Sequence, residues 1–336
     1  MSTSVTQKVS PKKLTSDIKK SKNGFARREL RKALINNWDL YLLLLPVIAY
    51  FIIFHYWPMF GVQIAFKDYR NSLGIWGSPF TTQHGLKHFI RFFNSSHFVQ
   101  ILRNTVSLSV YRLIAQFPTP IILALLMNEL KSIKFKKTVQ MVTYAPHFLS
   151  TVVLVGMVSV LTAAPSPLME SGGIINIIIQ KLGMQPIKFM TEPEWFPHLY
   201  VWSGVWQNTG WGSIIYMAAL AGIDLEQYEA AMVDGASKLQ RLWHITLPGI
   251  IPTAITLLIL DVGKIMNVGF EKVFLMQNSL NQSTAQVIST YVYDVGLKGA
   301  QYDFSTAVGL FNSVINFVLL ITVNKISKKL SETSLW

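Results

Sequence analysis

From Leu40 to Phe66 the chain carries no Asp, Glu, Lys or Arg. That run is longer than the roughly 7 to 15 apolar residues of a cleavable secretory signal. It also exceeds the about 20 residues that take a helix across a bilayer core of about 30 Å. Lipid offers no hydrogen-bonding partner, so the backbone of such a segment must be satisfied within itself, as a helix. The run is expected to be a retained transmembrane helix.

Composition agrees. Of 336 residues, 51% are hydrophobic and 14% are charged, against roughly a quarter charged in soluble domains. Five further segments meet the length a span requires, making six in all: Leu40–Phe60, Val106–Met127, Val139–Leu161, Phe196–Leu220, Gly249–Phe270 and Phe304–Val323. The second contains Arg112 and the fifth Asp261 and Lys264, so these two must turn their charges to protein or water.

The net charge of +13 sits beside the apolar runs, as at a membrane surface and not as in a nucleic-acid-binding domain. Ten lysines and arginines fall before residue 33, and Lys131, Lys134, Lys136, Lys137, Lys238, Arg241, Lys325, Lys328 and Lys329 flank the alternate connections. Cytoplasmic flanks carry such an excess, so both termini are expected inside. The chain is thus read as an all-α membrane protein of six transmembrane helices. A basic cytoplasmic tail (1–36) precedes a transmembrane domain (37–330) and a short C-terminal end (331–336). External loops are expected at 61–103 and 163–197, the first with an aromatic-rich amphipathic helix lying at the membrane interface.

The absence of cysteine excludes disulfides, thiolate metal sites and cysteine nucleophiles. No His-Glu-x-x-His or Gly-x-Ser-x-Gly occurs, and His84 and His88, four apart, lack a visible third ligand, so no metal is expected. No Gly-x-x-x-x-Gly-Lys-Ser/Thr phosphate loop occurs either, so any ATP chemistry would belong to a partner.

Between the fourth and fifth spans, residues 223–248 form a cytoplasmic loop. Asp224 followed by Gln227 suits a capping box, Gly235 after Asp234 suits a left-handed helix end, and Pro248 suits the first turn of the next span. Glu229-Ala230-Ala231, three residues, Gly235, nine residues, Ile245, one residue and Leu247-Pro248 resemble the EAA signature of permeases in binding-protein-dependent ABC importers. The stretches Asn37–Arg70, Leu258–Leu275 and Thr290–Trp336, with the ending Ser334-Leu335-Trp336, look like the polysaccharide-type branch of the carbohydrate-uptake permeases.

The resemblance implies the type I importer permease fold, and a loop that docks on nucleotide-binding ATPase subunits, which hold ATP and Mg. It implies a second homologous permease subunit and an extracellular substrate-binding lipoprotein. The implied cargo is an oligosaccharide or glycan; a peptide, amino acid or other solute is the alternative, because the signature reports the engine and not the cargo.

For the substrate pathway, Asp261, Lys264 and Glu271 at i, i+3 and i+10 are expected near one face of the fifth helix, with Asn267 close by. Trp202 and Trp206, one turn apart, and Asn208 offer aromatic faces and an amide to a saccharide, with Trp195 and Trp211 near in sequence. Arg112, His55 and Trp57 are read as structural. A membrane enzyme using Asp261 and Glu271 is disfavoured, since ten residues of helix separate them by about 15 Å.

Overall fold

The computed structural model describes residues 36–331 apart from residue 168. The basic tail up to residue 35 and the Ser334-Leu335-Trp336 ending lie outside the described residues. The chain divides into two compact units, Met1–Val62 and Gln63–Trp336.

The first unit is built on one helix, α1 (Trp38–Phe51), apolar on all sides and extended by a π-helical turn at Ile52–Tyr56 into Trp57–Met59. The turn ends two residues before Pro58. Proline has no N–H for the carbonyl one turn back, and its ring crowds that carbonyl, so a wider turn relieves both. His55 packs its ring on Tyr50 and Phe51, centroids 5.5 and 5.1 Å away.

The second unit holds α2 (Lys87–Phe93), α3 (Phe98–Asn128), α4 (Ile133–Tyr144), α5 (Thr151–Leu161), α6 (Ile174–Lys181) and α7 (Phe196–Ala221). It continues with α8 (Leu225–Val233), α9 (Lys238–Val262), α10 (Phe270–Met276) and α11 (Tyr302–Ser331). Among the described residues four helices are long and apolar enough to cross a membrane: α1 with its extension, α3, α9 and α11; α4 and α5 make a fifth if they form one span.

α7 is 26 residues long but too polar to join that group by composition, carrying Ser203, Gln207, Asn208, Thr209 and Ser213. It buries Phe196, Tyr200, Val201, Val205, Tyr216 and Leu220 against its neighbours, so protein rather than lipid surrounds much of it. Its polar groups are satisfied locally: Ser203, Asn208 and Thr209 each donate to a carbonyl four residues back. Gly210 lets α7 touch the backbone of α4, where a Cβ would stand 2.0 Å from the Thr143 carbonyl oxygen.

One expectation is corrected here. The third span was expected unbroken from Val139 to Leu161, yet the chain bends by 103° between α4 and α5. Pro146 cannot donate to Val142, a 3-10 turn forms over Ala145–Phe148, and Leu149 turns extended. Ser150 then restarts the helix by accepting from the Val153 amide at 3.3 Å. The aromatic helix expected in the 61–103 loop is α2, which packs its Phe92 side into the protein and leaves Ile90 and Phe93 exposed. Phe92 is 1% exposed and meets the rings of Phe98, Phe304 and Phe311.

Candidate functional site

The loop after α7 is organised by its own side chains. Asp224 caps α8, its carboxylate accepting from the Glu226 amide at 3.0 Å. The helix ends in a Schellman motif: Gly235 takes a φ of +77°, its amide donates to Met232, and the Ala236 amide reaches back to Ala231 at 2.8 Å. The reciprocal capping box expected at Asp224 and Gln227 forms instead at Ser237 and Gln240, where it starts α9.

Pro248 stands in the first turn of the α-helical stretch Leu247–Val262, the position its sequence suits. It sits inside α9, after a π-helical turn at Leu242–Thr246 that makes room for it as the turn before Pro58 does. The Tyr228 and Thr246 hydroxyls, 3.0 Å apart, tie α8 to that turn.

Among the charged residues on the outside of this hairpin stand large apolar side chains that no described residue covers. Val233 is 88% and Leu225 73% exposed, with Met232, Leu239 and Trp243 also outside. Glu229 and Ala230 are exposed and Ala231 is half-buried. Glu229 forms no ion pair among the described residues. A cleft of about 270 Å³ opens between α8, the start of α9 and the end of α3, lined by Glu129, Tyr228, Met232, Arg241 and Thr246 among others.

A second site lies among α3, α7 and α9. A cavity of about 380 Å³ is lined by Arg112, Leu113, Gln116, Phe117 and Pro120 from α3, and by Asn208, Trp211, Gly212, Ile215 and Tyr216 from α7. Leu257 and Asp261 of α9, with Lys264 and Asn267 after it, complete the wall.

The expected common helix face for Asp261, Lys264 and Glu271 does not exist, because α9 ends at Val262. Lys264 and Asn267 lie in turns beyond it, and Glu271 opens α10, exposed and away from the cavity. Met266 donates its amide to Asn316 of α11 at 3.0 Å, and the Asn267 side-chain oxygen accepts from Asn312 and Asn316. Those long-range bonds hold the break open.

Of the sequence-derived pathway residues, Asn208, Asp261, Lys264 and Asn267 meet at this cavity; Trp202, Trp206 and Glu271 do not. Trp202 donates to the Tyr111 hydroxyl at 2.9 Å, which also pairs with His198, and Trp206 is exposed. Arg112, read from the sequence as structural, lines the cavity; a guanidinium inside an apolar run was the signal that marked it. Trp211 stacks flat on His147, centroids 4.6 Å apart, and His147 pairs with Asn208 at 3.2 Å. Among the described residues no carboxylate lies within 4.0 Å of Arg112 or Lys264.

Behind the cavity, Lys272 of α10 donates to the Tyr200 carbonyl at 2.8 Å and lies over the Tyr200 ring. Burial, followed by the charge of Arg112, pushes the Lys272 ammonium down to about 8.

A third cluster was invisible in the sequence. His88, 3% exposed, points Nε2 at the Lys67 carbonyl, 3.1 Å away, with Asp303 at 3.6 Å and Asp68 at 3.9 Å. The three side chains could present ligand atoms to a metal ion, but Lys87 already holds the facing Asp68 oxygen at 2.6 Å. Asp303 also accepts from the Tyr69 amide at 3.3 Å, so the cluster clasps the loop after residue 66 to the start of α11.

Comparison with known proteins follows the same lines. Residues 104–332 match the family described as binding-protein-dependent transport system inner membrane component. The chain is 45% identical to Protein LplB of Bacillus subtilis over 88% of this chain and 91% of that one. It is 43% identical to the polygalacturonan/rhamnogalacturonan transport system permease protein YteP of the same organism, covering 92% and 94%. Its fold superimposes with a TM-score of 0.81, at 40% identity and over 90% of this chain and 99% of the other, on a chain of a bacterial ABC transporter involved in the import of the acidic polysaccharide alginate. A second solved structure, at 39% identity, holds such a transporter in complex with an alginate pentasaccharide-bound periplasmic protein.

Proposed function

The chain belongs to the binding-protein-dependent transport system inner membrane components, and from that premise we propose that it is the permease subunit of an ATP-driven importer of oligosaccharides. It is a multi-pass membrane protein on the type I ABC permease fold, and a transport subunit rather than an enzyme. The relatives named for arabinooligosaccharide and polygalacturonan transport, and the alginate importer, support the saccharide cargo.

The observation that carries the reading is the α8 hairpin. Its Schellman end and capping box make it self-supporting, while its apolar outer residues are covered by nothing among the described residues. A surface of that kind fits a groove in another protein. In this reading Glu229, Ala230, Ala231, Asp234, Gly235, Ile245, Leu247 and Pro248 form or support the contact with the ATPase subunits, which bind ATP and Mg. A second permease subunit completes the pathway, and an extracellular binding lipoprotein delivers the sugar. Six spans, with α7 and the bent α4–α5 pair among them, put both termini in the cytoplasm beside the lysine-rich connections. Closure of the ATPase pair moves the hairpin, and the attached helices rock to open the central cavity to alternate sides.

The test is mass spectrometry of what co-purifies from native membranes, for wild type and for a Glu229→Ala, Gly235→Val double variant. Recovery of an ATPase, a second permease and a solute-binding lipoprotein, with the ATPase alone lost from the variant, is the expected result. Partners indifferent to the substitutions would overturn the docking assignment.

A further inference from the structure

A guanidinium inside a membrane span is retained where something compensates it. Arg112 stands within α3, a helix of 31 residues, and lines the cavity together with Lys264. Asp261 is the one carboxylate among the lining residues; it lies more than 4.0 Å from either cation but within reach of both charges, and it offsets one of the two. The wall therefore offers two cations against one anion. Hydroxyl and amide groups would suffice for a neutral sugar and would leave that excess uncompensated.

Resting on the permease reading above, we propose that this cavity is a subsite for a carboxylated, uronate-bearing saccharide, with Arg112 and Lys264 receiving the ligand's carboxylate. The planar fork of an arginine matches a carboxylate with two parallel N–H donors, and a lysine adds a mobile point charge. Asp261 then serves the opposite chemistry of the same ligand, accepting from ring hydroxyls. Trp211, backed flat by His147, gives the cavity a rigid apolar face of the kind that packs on the C–H side of a pyranose. The volume of about 380 Å³ lies within the range of about 300 to 1,000 Å³ usual for small-molecule sites.

The experiment uses the complete importer, with its second permease, ATPase and binding protein, in proteoliposomes. Uptake is measured for an oligogalacturonate and for the same oligomer with its carboxyls reduced to alcohols. Arg112→Gln and Lys264→Gln should each lower the ratio of acidic to neutral uptake about tenfold, the scale of one charge-assisted hydrogen bond. Arg112→Lys should retain most of the ratio. Should Arg112→Gln fail to assemble with the ATPase, Lys264→Gln, at an exposed position, carries the decision. An unchanged ratio in the assembled variants, as expected if a carboxylate of the second permease pairs with these cations, overturns the subsite. So does uptake of the neutral oligomer alone, and both results leave the permease reading standing. An importer that moves neither oligomer also overturns the galacturonate-binding subsite and leaves the permease reading standing.

Discussion

The amide of Ala236 donates to the carbonyl of Ala231 at 2.8 Å, across a Gly235 held at a φ of +77°. Only a residue free of a Cβ adopts that backbone without strain, and nothing else crowds the position. Gly235→Val should therefore distort the end of α8 at a cost of about 1–2 kcal/mol while leaving membrane insertion intact. Sugar-stimulated ATP hydrolysis by the assembled importer should fall at least severalfold with subunit yield unchanged. Unimpaired stimulation would show that the turn is dispensable for coupling.

Gly210 tests packing rather than conformation. A methyl group there would stand 2.0 Å from the Thr143 carbonyl oxygen, backbone that cannot rotate aside. Gly210→Ala should push α7 from α4 and cost about 1–3 kcal/mol, as overpacking does. The readout is a lowered thermal midpoint in detergent, with Gly309→Ala, where no atom lies within 4 Å, as the control expected to change little.

Lys272 gives stability a pH dependence. Its folded value, pushed to about 8, lies below the ordinary 10.5. Between those limits the unfolded chain holds a proton that the folded chain has released, so folding becomes more favourable as pH rises, by up to about 1.4 kcal/mol per pH unit. Below about 8 the ammonium is charged in both states and its burial cost is felt in full. The thermal midpoint of wild type, measured relative to Lys272→Met, should rise from pH 7.5 to 9.5. A difference that is flat or falls over that interval would refute the assignment.

The α8 hairpin was legible because its determinants are local. An Asp, a Gly and a Ser at fixed offsets cap and stop helices through bonds of a few residues' reach, although the sequence pattern misassigned the capping box to Asp224 when Ser237 and Gln240 form it. Pro248 stands in a first turn, as the sequence suggests, although the helix does not begin there. A proline in apolar sequence suits the start of a helix, and the π-helical turn that lets it sit inside α9 leaves no mark in hydrophobicity.

The cavity was half legible. Asp261, Lys264, Asn267 and Asn208 stood out as polar groups in apolar runs, but the reading assumed that α9 continued beyond Val262. The break depends on Asn312 and Asn316, about fifty residues on, whose amides reach Met266 and Asn267. Arg112 could be flagged but not placed, since its neighbours come from α7 and α9.

By itself, then, the sequence determined what lipid and local hydrogen bonding dictate: a helical membrane protein, the apolar runs that cross it, and a capped, solvent-facing hairpin carrying a family signature. Tertiary structure decided what depends on meetings between distant segments. It bent one expected span by 103°, packed Phe92 into an aromatic core, and closed Asp68, His88 and Asp303 into one clasp. The reason is physical. Hydrophobic transfer and helix capping act over a single turn or a single segment, whereas the free energy of a buried ring or a paired charge is set by which other segments arrive beside it.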